Sequence, residues 1–514
     1  MKYFRPISVL FLLFFIALIA GFLAIYNFKT ENFLNSKSIN FITEVKPKFN
    51  PKVENYFSSQ CIDNNVEVDF DKKLNYEINT NGPITQVSIK YLNFFTKKYF
   101  ITCIEPRVSP IELTNAEGER KEFVLMDELV LPNQINAQYS GTITLRDSLG
   151  TPIWWLSPNS TPIANLKLSF LRDPKLINNG TKVLFVGSTS PALGTSLDGF
   201  YMVYDLKSHK ITQTYTGDKV KNGKGTLDFH DLQILPNGEA VGIRYAKRSG
   251  VDLTSIGIAQ GTEILDSEIV ILNSDGTEKR KISIMDLIKP EEISVNQSAY
   301  YNPTVPPVDV IHTNSVEVVG DYVYISSRHL DSVHKINWKD GSIVWRLGGN
   351  SKTDKDLKVK NLYGALNQFN NTISLKNLFS GQHDARILKN GELSVFDNGT
   401  TGNRNPRVLV FKIDEKKMEA EITRVVTGSS QSSSYCCGSA RELEDGSWLI
   451  NWGGKFDQSR ATLANGVSST VLPTGVATRI LVRPANVFAY RVIPYYLNNE
   501  QLNLFRQDLI NRNN

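Results

Sequence analysis

The chain reads as an all-β protein: a six-bladed β-propeller preceded by a small N-terminal β domain and a transmembrane signal anchor. Three observations predict this. Short alternating apolar segments, separated by Gly, Pro and Asn-Gly turns, fill most of the 514 residues, the pattern of half-buried strands joined by tight turns. Two strand-and-turn phrases recur along the chain, and irregular repeats of roughly 40–80 residues are the mark of a propeller. An uncharged run from Ile7 to Tyr26 opens the chain.

That run lies between Lys2 and Arg5 on one side and Lys29 on the other. At about 20 residues it is long enough to cross a bilayer core as a helix, and longer than the apolar region of a usual signal peptide. Residues 1–29 are therefore expected to form a transmembrane signal anchor, with a cleaved signal peptide as the alternative. Either places the remainder on the extracytoplasmic side, in the periplasm or at the cell exterior. Residues 30–52 are polar and read as a tether.

Residues 53–132 contain alternating segments such as Val66-Glu67-Val68-Asp69-Phe70 and Gln86-Val87-Ser88-Ile89-Lys90-Tyr91, which predict a small antiparallel β domain. Cys61 and Cys103 fall in this region and could pair in an oxidising compartment. The adjacent Cys436 and Cys437 could close a strained ring or stay reduced. Four cysteines so placed make neither a metal framework nor a dense disulfide scaffold. The formal charge of +5, with basic and acidic residues interspersed, carries no footprint for nucleic acid.

From 138 to 495 the spacing becomes regular, and this region is assigned to the propeller. The outer phrase, a strand, an Asp-x-x-Gly turn and a strand with Trp, runs from Gly141 to Trp155 and returns at 270–277 and 333–349. The inner phrase begins at a histidine and reaches an Asn-Gly or related turn. It appears as Phe229-His230-Asp231 through Asn237-Gly238-Glu239 and again as Gln382-His383-Asp384 through Asn390-Gly391-Glu392. A further copy begins at His312, and a degenerate one at Ser439. Insertions at 281–308 and 351–378 are polar and expected to be partly helical, covering one face. Residues 496–514 are expected to be a short helix or a frayed tail.

Equivalent positions of successive blades converge on the central channel, so residues far apart in sequence become neighbours. Three of the six histidines, His230, His312 and His383, share one position of the inner phrase. Arg328, in Ser326-Ser327-Arg328-His329, adds a guanidinium. A lone histidine at a strand end is more often structural. Three of them converging beside a permanent cation are not called for by packing. A metal site with Asp231 or Asp384 as carboxylate ligand is the competing arrangement, disfavoured because Arg328 would repel a divalent ion and attract an oxyanion. His209 reads as a solvated turn residue and His334 as packed between blades.

In their order and spacing these pieces, with His312-Thr313-Asn314-Ser315 and the closing Tyr490-Arg491-Val492-Ile493-Pro494-Tyr495, resemble the arylsulfate sulfotransferase family over roughly residues 138–495. The resemblance implies an extracytoplasmic six-bladed propeller. It further implies transfer of a sulfuryl group from a phenolic sulfate ester to a phenolic acceptor, without cofactor or metal, by a ping-pong route through a sulfated histidine. His383 matches the family's nucleophile by its Gln-His-Asp context. His230, His312 and Arg328 match its sulfate-binding and acid/base residues, and Asn314 a further substrate contact. Asp384 is expected to orient the strand or the His383 tautomer. The family's usual disulfide is not recognisable in Cys436-Cys437. From a different class, the alternative is a non-catalytic membrane-tethered propeller that binds an anionic ligand or a protein partner.

Overall fold

The computed structural model describes residues 40–41, 45–46, 54–58, 68–69, 75–91, 95–105, 107–115, 120–130, 141–160, 162–189, 194–217, 225–293, 305–350, 353–360, 378–401, 404–428, 434–454 and 465–513. The expected anchor and most of the tether lie outside these residues. Among the described residues no helix is long and apolar enough to cross a membrane. The chain divides into two compact units, Met1–Glu105 with Asn513–Asn514, and Pro106–Arg512.

The first unit is built on a five-stranded sheet in the order Val45–Lys46, Asn55–Ser58, Phe95–Cys103, Ile84–Tyr91, Asn75–Asn81. Its hairpin turns at Gly82, whose φ of 55° suits a residue without a Cβ. Tyr56, Val87, Ile89, Tyr99 and Ile101 are buried on it. One pairing departs from the antiparallel expectation: Asn55–Ser58 runs parallel to Phe95–Cys103. Cys103 is disulfide-bonded. Cys61, the partner suggested by sequence, lies outside the described residues.

Among its described residues the second unit contains six sheets in chain order, antiparallel except where Val308–Asp309 joins the third and Lys358–Lys360 the fifth in parallel. Phe170–Ile177, Lys182–Ser188, Phe200–Asp205 and Lys210–Tyr215 form the second. The third runs Leu232–Ile234, Ala240–Arg248, Ile264–Leu272, Glu278–Ser283, and the fourth Thr313–Val319, Tyr322–Ser327, Ser332–Asn337, Ile343–Gly348. The fifth runs His383–Ile387, Leu393–Asp397, Arg407–Asp414, Glu419–Val426, and the sixth Ser439–Glu442, Trp448–Asn451, Val467–Val471, Ala477–Val482. The first sheet is composite. Phe123–Val130, Thr142–Arg146 and Pro152–Leu156 receive Val492–Tyr495 from the far end of the chain, with Ile493 opposite Leu125. Glu112–Thr114 meanwhile adds to the outer edge of the sixth sheet. Each end of the unit is thus stitched to the other, which removes the open edge a linear row of sheets would leave.

This stitching corrects the domain boundary. The break expected at 132 falls between 105 and 106, because Glu112–Thr114 and Phe123–Val130 pair within the second unit. Their alternation is that of any half-buried strand, so pattern alone could not assign them to a sheet. Much of the two insertions expected to be partly helical, 294–304, 351–352 and 361–377, lies outside the described residues. Their described parts are the strand Lys358–Lys360, the end of Glu278–Ser283, the start of Val308–Asp309 and one 3-10 turn at Pro290–Glu292. The tail forms a helix, Asn499–Asn513. Its Asp508 accepts hydrogen bonds from Trp154 Nε1 at 2.6 Å and Tyr204 Oη at 2.5 Å, and pairs with His209 Nδ1 at 2.8 Å. His209 is therefore tied to the helix rather than solvated.

The first strands of adjacent sheets pack against one another, and a buried charge network joins them. Asp173, Asp231 and Asp384 stand at the heads of three of these strands, fully buried. Arg491, two per cent exposed or less, reaches all three: Nη1 to Asp173 at 2.6 Å, Nη2 to Asp231 at 3.2 Å and Nε to Asp384 at 3.2 Å. Lys175, Arg386 and Arg441 complete the pairing. Buried carboxylates at this density persist only when cations and hydrogen bonds compensate them. The cations hold Asp231 and Asp384 below the usual carboxylate range, against a burial effect that would raise them. Asp384 is thus a strand-locking residue and does not bond the His383 ring.

Candidate active site

Arg172, His230, His312 and His383 each stand eight residues before a turn glycine with positive φ (172 to 180, 230 to 238, 312 to 320, 383 to 391). Register shifts mark the strand heads, between Arg172 and Lys175, Thr313 and Ser315, and His383 and Arg386. Left-handed residues, Asp173, His312 and Asp384, sit at those same points. Such bulges re-aim a side chain out of the sheet's regular alternation. They turn these heads towards a common cluster above the charge network.

The structure brings together His230, His312, His383 and Arg328. The rings of His230 and His312 are 4.9 Å apart, edge to face. Tyr490 lies between the sheets, 5.4 Å from His230 and 6.2 Å from His383. Arg328 donates from Nη1 to His329 Nε2 and from Nη2 to the Tyr435 carbonyl, both at 2.8 Å. His329 is the fourth imidazole of the group, 4.6 Å from His312, and donates from Nδ1 to the Asp309 carbonyl at 2.6 Å. Asn314, the further substrate contact expected, stands beside the cluster with its side-chain oxygen buried and unpartnered among the described residues. Its amide donates to the Gln382 carbonyl at 2.7 Å, while its backbone carbonyl accepts from Tyr490 Oη and Arg491. It fastens the fourth sheet to the fifth and to the closing strand.

The partners of the three imidazoles differ in kind. His230 Nδ1 bonds the Asp228 carboxylate, and His312 Nδ1 bonds Asp309 Oδ2 at 2.5 Å. Among the described residues His383 has no carboxylate partner: Nδ1 faces Asn398 Oδ1 at 2.8 Å and the Gly381 carbonyl at 2.9 Å. Both are acceptors, so Nδ1 carries the proton and Nε2 carries the lone pair. That lone pair accepts the Cys437 N–H at 3.1 Å. Burial, the Arg328 charge and the neighbouring imidazoles push His383 well below the ordinary histidine range, which keeps the ring neutral. His230 is pushed down by burial, His312 and Arg491, while burial pushes its partner Asp228 up to about 7.

Sequence reasoning missed Asp228, Asp309, Asn398 and Arg172. The last had a readable signal, since Arg172-Asp173 repeats His-Asp at the same distance from its turn glycine. Its guanidinium lies 4.1 Å from the Phe229 ring, which also stacks on His230 at 4.3 Å. Asp309 and Asn398 had none: Asp309 sits in the two-residue strand Val308–Asp309, which joins the third sheet in parallel, and Asn398 follows the strand Leu393–Asp397.

Asp309, His312 and His329 place ligand atoms within 4.8 Å of one another, a spacing a metal ion could use. His329 Nε2 is taken by the Arg328 guanidinium, and a fixed cation in that position opposes a second one.

Six sheets in series with polar heads gathered at one cluster define an all-β protein whose described residues bring four histidines and an arginine together. The arylsulfotransferase (ASST) family profile matches residues 117–483, and the chain belongs to that family. No curated protein matches it. Solved structures align over much of its length at low identity. A protein of unknown function from Bacteroides caccae is 10% identical, covers 72% of this chain and 100% of its own, and has a TM-score of 0.37. A putative 6-phosphogluconolactonase from Bacteroides fragilis is 12% identical, with 73% and 98% covered and a TM-score of 0.32. The Dos1 propeller is 8% identical, with 84% and 83% covered and a TM-score of 0.30. Likenesses this distant carry no argument about the site.

Proposed function

We propose that this protein is a six-bladed propeller that moves a sulfuryl group from a phenolic sulfate ester to a phenolic acceptor through a sulfated His383. The observation that carries the reading is the contrast between an amide-backed, neutral His383 and the carboxylate-backed His312. A nucleophilic imidazole needs an unprotonated nitrogen, and proton carriers benefit from a carboxylate that offsets their charge.

In the first half-reaction His383 Nε2 turns from the Cys437 N–H and attacks sulfur. The N–S bond forms, the S–O bond to the aryl group breaks, and the departing phenolate takes a proton from His312. In the second, the acceptor phenol gives its proton to His312, its oxygen attacks sulfur and the N–S bond breaks. Arg328 binds the non-bridging oxygens, where charge is held throughout, and Asp309 offsets the charge of protonated His312. His230, kept neutral by its surroundings, positions the sulfuryl group. The disulfide at Cys103 supports an extracytoplasmic location, in keeping with a membrane anchor at residues 1–29.

The test is an assay with a chromogenic aryl sulfate and a phenol. Turnover that vanishes in His383→Ala, with acid-labile sulfate on wild-type His383 after donor alone, supports the proposal. Turnover without a labelled protein excludes the covalent route, and donor binding without turnover marks a ligand-binding propeller instead.

A further inference from the structure

Cys436 and Cys437 are free thiols beside the candidate nucleophile, and the reaction proposed above uses neither. Cys436 is half-buried and Cys437 buried, and the two thiols hydrogen-bond to one another. The backbone of Cys437 reaches both nitrogens of His383. Its N–H donates to Nε2 at 3.1 Å, and its carbonyl accepts Asn398 Nδ2 at 3.0 Å while Asn398 Oδ1 takes the Nδ1 proton. The segment is closely seated: Cys437 has a φ of 65°, and a Cβ at Gly438 would lie 2.3 Å from Phe396 Cε1.

Disulfides ordinarily span Cα atoms roughly 4.4–6.8 Å apart, whereas adjacent trans residues are held at about 3.8 Å. A bond between neighbouring cysteines closes an eight-membered ring containing their shared peptide unit, and it closes only if that unit rotates. The N–H on this unit is the one bonded to His383. A ring so strained is also readily reduced, the property of a regulatory disulfide.

We propose that Cys436–Cys437 is a thiol-redox modification site acting on His383. In the dithiol form His383 is seated and competent. In the vicinal disulfide the Cys437 amide is withdrawn, the His383 ring is no longer held where Nε2 can pass from that amide to sulfur, and turnover falls. The co-reactant is a small-molecule disulfide. The Cys436 thiolate attacks it, forming a mixed disulfide and releasing one thiolate. Cys437, giving up its proton, then attacks Cys436 Sγ and releases the second. Two protein thiols are oxidised and one disulfide is reduced to two thiols.

The effect on turnover rests on the proposed sulfotransferase activity, so the experiment has two readouts independent of it. Full-length protein is equilibrated with mixtures of reduced and oxidised glutathione. The peptide holding both cysteines is then weighed, the rate at which diethyl pyrocarbonate modifies His383 is followed, and turnover is assayed. The expected result is loss of two hydrogens from that peptide and a changed His383 modification rate. Turnover should fall by about tenfold or more, the scale of a displaced reacting group, and recover with dithiothreitol. Cys436→Ser should show the dithiol behaviour in every mixture. Mixed disulfides alone, or ring closure with an unchanged His383 rate, overturns the proposal. Ring closure with a changed His383 rate but no turnover in either state upholds the switch and sinks the sulfotransferase reading.

Discussion

His383 Nδ1 donates to Asn398 Oδ1 at 2.8 Å, so the central histidine of the cluster is oriented by an amide and not by a carboxylate. An amide oxygen fixes the tautomer without favouring the imidazolium. Replacing it with a carboxylate should do both. In Asn398→Asp the His383 pKa should rise, so the acid limb of kcat/KM should move upward by about one to two pH units, with reduced turnover at neutral pH. A pH–rate profile of the variant reads this directly, and an unmoved acid limb counts against His383 as the group that must be neutral.

His383→Ala should lose turnover by at least about a thousandfold, the scale of removing a covalent nucleophile, with little change in thermal stability. Arg328→Lys should cost about a hundredfold or more in kcat, because an ammonium cannot reproduce the planar fork that binds two oxygens at once. Steady-state kinetics on protein checked for native folding separate these effects from unfolding.

Arg491→Met is expected to act on stability. It leaves Asp173, Asp231 and Asp384 short of a shared cation, and breaking a buried network from one side costs about 3–5 kcal/mol. Urea denaturation should show the loss. A variant as stable as the wild type would mean the remaining cations suffice.

Acid should destabilise the protein partly through His334. Burial first, and then Arg346, pushes this imidazole down to about 3. Folded, it stays neutral from neutral pH down to about 3. Unfolded, it takes up a proton below its ordinary value of about 6.5. Its contribution is complete above that value and shrinks as pH falls towards 3, by about 1.4 kcal/mol per pH unit for one proton. Asp127 and Asp228, raised by burial to about 6 and about 7, work in the opposite sense, so the slope is best isolated by difference. His334→Asn should flatten the fall in stability between pH 6.5 and 4 relative to wild type, as measured by thermal melts across that range.

Much of this was legible in the chain. The recurrence of a polar head eight residues before a turn glycine marks the strands that reach the cluster, because a tight turn demands that residue at a defined distance from the strand start. It identified His230, His312 and His383 and would have identified Arg172 had the repeat been sought without requiring histidine. Asp309 and Asn398 obey no such spacing, since the short strand Val308–Asp309 and the segment after Asp397 lie outside the repeated phrase. The edges of the second unit were equally hidden: nothing local in Phe123–Val130 says that Val492–Tyr495 will lie beside it.

The sequence by itself determined the β architecture, the repeat and the residues that head its strands, because turn chemistry and alternation are local properties. Only the tertiary structure decided which partners those residues meet. Contacts between sheets set Arg491 among three aspartates, and segments outside the repeated phrase supply a carboxylate to two histidines and an amide to the third. An imidazole's role depends on the partner of its other nitrogen, and that partner is chosen by contacts between sheets, at a range no local pattern encodes.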